Sequence, residues 1–366
     1  MIFKNFETSD IVAGRTQPVS TGMWSDGTAS WGEFYTSSAQ TQLSSSAYEP
    51  LNGLYYTNVY DASPSQSNAD IYFSLTYGHY AGSGSSNFDT SSANGSLIYP
   101  TQAIYNQYRN LILTPADTKF TFISSSAGGL VETSSNDIHV IAFRSTKYKD
   151  RLDPGQFQLT LSGSLGRITL IDDSRYNPQT TLDTGGKRYN IIRGTIDSGI
   201  TSTGYEGLGS MYPDLGLIVL NPDKISSLVG TVNGRSLSYN PANWGGGFAR
   251  IQNVLFESIK LGANTTPMLA RVTEYVAARH FFVRVKNQEY NYSNNPTFVI
   301  SQADQPTNPQ DVGKLRFSDF YTDPKVYITT VGLYNQNNDL VAVAKLSQPL
   351  LKDFTNECLI KIKIDI

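Results

Sequence analysis

Apolar and charged residues alternate without a break at the end of the chain, in Ile360-Lys361-Ile362-Lys363-Ile364-Asp365-Ile366. A period of two sends every second side chain to one face, so this segment predicts a strand with one buried and one solvated side. Phe281, Val283 and Val285 alternate in the same way with Phe282, Arg284 and Lys286. The β-branched run Val326–Tyr334 is followed by the polar link Asn335-Gln336-Asn337-Asn338-Asp339 and the apolar run Leu340–Leu346, which is a hairpin signature. Residues 275–366 therefore predict an antiparallel β-sandwich.

The middle of the chain, residues 70–262, reads as a mainly-β domain with a few helices. Strands are expected at Asp70–Tyr77, Ile138–Arg144, Phe157–Leu161 and Leu215–Leu220. Arg167–Ile171 and Tyr189–Arg193 are expected to pair with each other across a polar excursion. Pro100–Leu113 predicts a helix with proline in its first turn and Ile104, Tyr108, Leu111 and Ile112 on one face. Asn221-Pro222 has the form of a helix entry, a cap followed by a proline that needs no N–H partner. Asn233-Gly234 predicts a tight turn, because both residues tolerate positive φ. A second helix, Ala249–Leu261, turns Ile251, Val254, Leu255 and Ile259 to one side. Gly82–Ser86 reads as an exposed flexible loop.

Residues 1–69 have no sustained period. Aromatic points at Phe3, Phe6, Trp24, Trp31, Phe34 and Tyr35 stand among small polar stretches. A disordered tail would lack such rings. This segment is read as an extended N-terminal arm with those six residues as candidate interface anchors. The same pattern also fits a loop-rich start that packs on its own domain. The fold class expected overall is β-rich α+β, with arm, central domain and C-terminal sandwich in that order.

Composition narrows the function. The chain has 366 residues, enough for two or three domains. Charged residues make up 16%, against the usual quarter, and tyrosine is abundant at 23. Such a surface stays wet through hydroxyl and amide groups and still packs against a neighbour, since tyrosine can bury its ring and keep its hydroxyl bonded. A β-rich secreted protein has the same palette. Net charge is −3, and Lys147, Lys149 and Arg151 are interrupted by Tyr148 and Asp150, so no nucleic-acid partner is expected. No apolar run approaches twenty residues, so no membrane partner is expected either. The first seven residues lack a basic region followed by an apolar core, unlike a secretory signal. Cys358 is the single cysteine, and the sequons at Asn94, Asn264 and Asn291 are what chance gives in a chain rich in Asn and Ser. These features fit assembly in a reducing cytoplasm.

Candidate chemistry is sparse. His79, His139 and His280 are far apart in sequence, so there is no short zinc motif. No Gly-x-Ser-x-Gly elbow and no phosphate loop occur. Cys358, before an apolar strand, reads as a buried inert thiol. Asp172-Asp173-Ser174 fits a turn, the more frequent use of such residues, or a calcium corner or an acid pair. Glu206 and Asp214 are the paired carboxylates that a glycosidase reading would use. Trp24, Trp31 and Trp244 are the platforms that a carbohydrate-binding module would use. No catalytic residue, metal or cofactor is expected, and the chain reads as a non-enzyme.

Several strings in order carry a resemblance. They are Leu54-Tyr55-Tyr56 with Asn58 to Asp61, Tyr105–Leu111, Tyr212–Asn221, Val285–Pro296 and Tyr327–Asn335. Together they resemble virion structural proteins of T4-like contractile-tailed phages, including those of cyanobacteria, most densely over 281–366. The resemblance implies a tail structural subunit, first a baseplate wedge component and second a neck or sheath-end component. It implies other tail proteins and copies of itself as partners, and the virion tail as location after assembly in the host cytoplasm. The strings are not catalytic motifs, and no functional residue is transferred from them.

Overall fold

The computed structural model describes residues 4–14, 16–24, 27–37, 44–45, 55–85, 99–177, 181–201, 204–240, 242, 248–293 and 295–365. The described residues are mainly antiparallel strand, as a β-rich chain should be. The chain divides into two compact units. One holds residues 1–17 and 276–366, and the other holds residues 18–275.

The larger unit is built on a twelve-stranded antiparallel sheet. Its central run places Gly186–Thr195, Gly209–Tyr212, Leu217–Leu220, Asp137–Phe143, Ile71–His79 and Tyr56–Tyr60 side by side. Both faces of this run are apolar. Ile218 and Leu220 join Ile141, Phe73, Leu75 and Tyr77 in the larger core cluster. Leu217 and Val219 join Ile138 and Val140 in the smaller one, on the opposite face by alternation. That two-sided burial explains why Leu217-Ile218-Val219-Leu220 is a continuous apolar run rather than an alternating one.

Each face has a helix over it. Ile251–Ala263 buries Ile251, Val254, Leu255 and Ile259 in the larger cluster, as the sequence predicts. It lies on the strand Gln158–Gly163 at small residues. Ser258 Oγ donates to the Ser162 carbonyl at 2.9 Å and accepts the Ser162 N–H at 3.1 Å. One turn on, Gly262 is so close that an added Cβ would fall 2.1 Å from the Thr160 carbonyl oxygen.

Pro100–Ile112 covers the other face. Its buried line is Thr101, Tyr105 and Ile112, and Leu111 is exposed. The expected face is thus rotated. Leu111 follows Tyr108 by three and precedes Ile112 by one, and only one of two adjacent positions can point at the sheet. The Tyr105 hydroxyl, absent from the expected face, donates to the Ser135 carbonyl (2.8 Å) and accepts the Phe120 N–H (3.0 Å). It thereby satisfies both ends of the hairpin Phe120–Ser126 and Gly129–Ser135.

Local signals hold elsewhere in this unit. Asn221 caps Pro222–Val229 through the Lys224 N–H. Asn233 and Gly234 both take positive φ, 50° and 73°, in the expected turn. Gly166–Asp172 pairs with Gly186–Thr195 through Leu170↔Arg193 and Ile171↔Ile192. The loop expectation at Gly82–Ser86 needs correction over its described part. Ser85 is buried, and its hydroxyl bonds that of Thr101 at 2.6 Å, so Gly82–Ser85 is a packed turn.

The smaller unit joins both ends of the chain. Ile11–Ala13 pairs with Ala278–Val285, which pairs in turn with Cys358–Asp365. Val326–Tyr334 and Leu340–Lys352 form a separate two-stranded sheet, the expected hairpin. The two sheets share a thin core cluster of Leu333, Ile360 and Ile362, at 7–8% exposure, and Ala278 and Val285 are also buried in this unit. Lys352 is fully buried. Its ammonium donates to the Asn287 carbonyl (2.8 Å), Asn291 Oδ1 (2.7 Å) and the Asp353 carbonyl (2.6 Å), so each of its three N–H groups has an acceptor.

Candidate interaction surface

The six aromatic anchors have separate fates. Phe3 lies outside the described residues. Phe6 is exposed at its edge and packs on Phe281, with ring centroids 5.6 Å apart. Trp24 and Phe34 are buried in the larger unit, at 3% and 2% exposure. They belong to a chain of rings: Trp31 stacks on Trp24, Trp24 meets Phe34, and Phe34 meets Phe73 edge-on at 5.7 Å. Trp31 is half-buried and donates its indole N–H to the Glu33 carbonyl. Tyr35 is exposed and bridges to Tyr60 through backbone bonds in both directions.

The picture of one extended arm over 1–69 is therefore corrected. Residues up to 17 are counted with the terminal unit, and those from 18 onward with the larger one. The physical reason is that rings such as Trp24 and Phe34 gain about 1.5–3 kcal/mol each by burial, and their own sheet offers the nearest apolar cover. Of the loop-rich and extended readings, the described part fits the first.

Of the catalytic candidates, Glu206, Asp172 and Asp173 have protein partners, and Asp214 is exposed in the turn Pro213–Leu215. The Glu206 carboxylate is clamped by Arg193 through two bonds of 2.7 and 2.6 Å. Asp172 caps a short turn, accepting from the Gly155 N–H at 2.7 Å and from both N–H and O–H of Ser174. Asp173 accepts from the Asn190 amide groups and the Tyr205 hydroxyl. These are turn-binding roles, and no cluster that could hold a metal ion occurs among the described residues. Cys358 is partly exposed and opens its strand opposite Val285. Trp24 has no free face for a sugar, and Trp244 lies outside the described residues. No helix among the described residues is long and apolar enough to cross a membrane.

One polar cluster escapes sequence reading. The register Tyr77↔His139 and His79↔Asp137 puts four polar side chains on one face of two neighbouring strands. Asp137 accepts from Tyr77 (3.1 Å) and Ser238 (2.7 Å), while its other oxygen has no partner among the described residues. Burial, reinforced by the Asp223 carboxylate, lifts Asp137 to about 7. Burial pushes His79 and His139 down to about 4. His139 Nε2 bonds the Leu237 carbonyl at 2.8 Å, and His79 Nδ1 accepts two backbone N–H groups. Asp137 and His139 thus hold the segment around Leu237–Ser238 onto the sheet. Sequence separation hid the cluster, because only strand pairing brings residues 77 and 139 together.

The surface with the most unusual character lies on the terminal unit. More than half of the exposed large apolar side chains among the described residues are here, in less than a third of the chain. Tyr327, Leu340, Val341 and Val343 stand exposed on the hairpin. In the excursion between residues 286 and 325, Phe298 packs edge-on against Tyr292 and Phe320, with Phe317 beside it. Tyr321 is 85% exposed. Single exposed apolar residues are ordinary, but such a concentration of them in one unit is not. No family model matches the chain, and no curated protein or solved structure matches it.

Proposed function

We propose that this chain is a non-enzymatic structural subunit of a contractile phage tail, held between neighbouring tail proteins and copies of itself. A baseplate wedge position is the first choice and a neck or sheath-end position the second. The observation that supports this reading most is the exposed apolar and aromatic surface of the terminal unit, set over a small cluster of buried apolar side chains. We read that unit as a small antiparallel β-sandwich whose outer faces complete their burial against other subunits. Obligate assembly interfaces resemble a core cut in half and bury more than roughly 2,000 Å² in total. The low charge of the chain favours the same role, because Lys and Glu are costly to desolvate at the centre of an interface. The bidentate hold of Arg193 on Glu206 and the turn contacts of Asp172 favour structural uses for these carboxylates.

The test is direct. Purified virions are separated into heads and tails and the fractions analysed by mass spectrometry, with antibody labelling to locate the chain. The reading expects several copies per tail, in the tail fraction alone. Tails that contain none, or hydrolysis of a polysaccharide by the purified chain, would overturn it.

A further inference from the structure

The terminal unit ends its two sheets in long strands with free sides, and these are defended unequally. Cys358–Asp365 is the outer strand of its sheet and carries Lys361, Lys363 and Asp365. Leu340–Lys352 carries Lys345 and Pro349. Charge and proline are the usual means by which a strand edge is kept from pairing with another chain. Val326–Tyr334 has neither. From Tyr327 to Leu333 it reads Tyr-Ile-Thr-Thr-Val-Gly-Leu, and its ladder runs only to the Leu340–Lys352 side of the hairpin. No other backbone bond reaches residues 327–333 among the described residues. The outward N–H and C=O groups of this edge are therefore a template for one more strand.

We propose that residues 327–333 pair antiparallel with the same residues of a second copy of this chain, across a two-fold axis. The occupant follows from charge. Self-pairing of Cys358–Asp365 opposes lysines to each other in its central registers, and self-pairing of Leu340–Lys352 brings Pro349 into a ladder that it cannot serve. Self-pairing of 327–333 opposes no charge in any register, and it sets β-branched and aromatic side chains against one another. A two-fold interface of this kind closes on itself and does not propagate into a fibre. The exposed Tyr327 and Val343 of each hairpin then gain cover beside the joined edges. The inference rests on this edge and is independent of which larger assembly the chain enters.

The experiment uses the full chain and sedimentation equilibrium over the micromolar range. Wild type is expected to be a dimer. Thr329→Lys and Thr329→Glu, each placing like charges near the axis, are expected to raise the dissociation constant at least about tenfold. An equimolar mixture of the two is expected to restore the dimer. Lys363→Glu, on a different edge, should leave it unchanged. Hydrogen exchange at 327–333 should slow as wild-type concentration rises. If a Thr329 variant shifts the unfolding midpoint, Tyr327→Lys and Tyr327→Glu replace the pair. A monomeric wild type, a dimer indifferent to these substitutions, or variants that stay apart when mixed would each overturn the proposal.

Discussion

Gly262 and Thr160 touch backbone to backbone: a methyl group on the glycine would lie 2.1 Å from the threonine carbonyl oxygen. Helix propensity alone says that alanine should replace this glycine with a gain of about 1 kcal/mol. Overpacking against an immobile carbonyl says the reverse and is larger, about 1–3 kcal/mol. Gly262→Ala is therefore expected to destabilise the chain, as measured by urea denaturation. A stabilised variant would mean that helix and strand are further apart than described.

Phe34→Ala separates a core role from an anchor role. The ring is 2% exposed and packs on Trp24 and Phe73, so truncation should cost about 3–5 kcal/mol in the isolated chain. An anchor reserved for another protein would leave isolated stability unchanged and weaken only assembly. Thermal and chemical unfolding of the free variant distinguishes the two.

The polar cluster gives a pH dependence with opposed signs. Asp137 is lifted to about 7, so between about pH 4 and 7 the folded chain holds a proton that the unfolded chain has lost. Its contribution is full below the unfolded pKa and falls as pH rises through that window. His79 and His139 are pushed down to about 4, so between about pH 4 and 6.5 the unfolded chain holds protons that the folded chain lacks. Their contribution rises with pH over that range. Each proton difference is worth about 1.4 kcal/mol per pH unit. Asp137→Asn removes only the falling component. The variant should show a steeper rise from pH 4 to 6.5 and no decline just above it. Identical pH profiles for variant and wild type would show that Asp137 titrates normally.

Lys352→Met tests the buried ammonium. The substitution keeps the apolar stem and removes three donors, which leaves Asn291 Oδ1 and the Asn287 and Asp353 carbonyls without this donor. An unsatisfied buried acceptor costs about 1–3 kcal/mol, so a clear loss of stability is expected. Hydrogen exchange around residues 287–291 should accelerate with it. A neutral substitution would mean that water takes the place of the ammonium.

Local chemistry was the legible part of this fold. The cap Asn221-Pro222, the turn Asn233-Gly234 and the hairpin after Tyr334 are each set by residues within a few positions, and each stands as expected. The Arg167–Ile171 and Tyr189–Arg193 pairing was legible because both runs are apolar enough for a central position. The core positions of Trp24 and Phe34 are not legible because their surroundings have no period, and the partners that bury them, Tyr72 and Phe73, come much later in the chain. The face of Pro100–Ile112 is not legible from apolar spacing because Tyr105 sits in the core, where its buried hydroxyl finds two backbone partners. The cluster at Asp137 and His139 depends on register, which sequence spacing does not carry.

The pairing of Ile11–Ala13 with Ala278–Val285 sets an order on biosynthesis. A ribosome releases residues 11–13 long before it makes their partners, so the first strand has to wait while residues 18–275 emerge and collapse. The terminal unit closes only when Cys358–Asp365 arrives. A chain cut short between residues 286 and 357 keeps its large sheet and leaves Phe281 and Val283 without their partner strand, an open apolar edge that quality control can recognise.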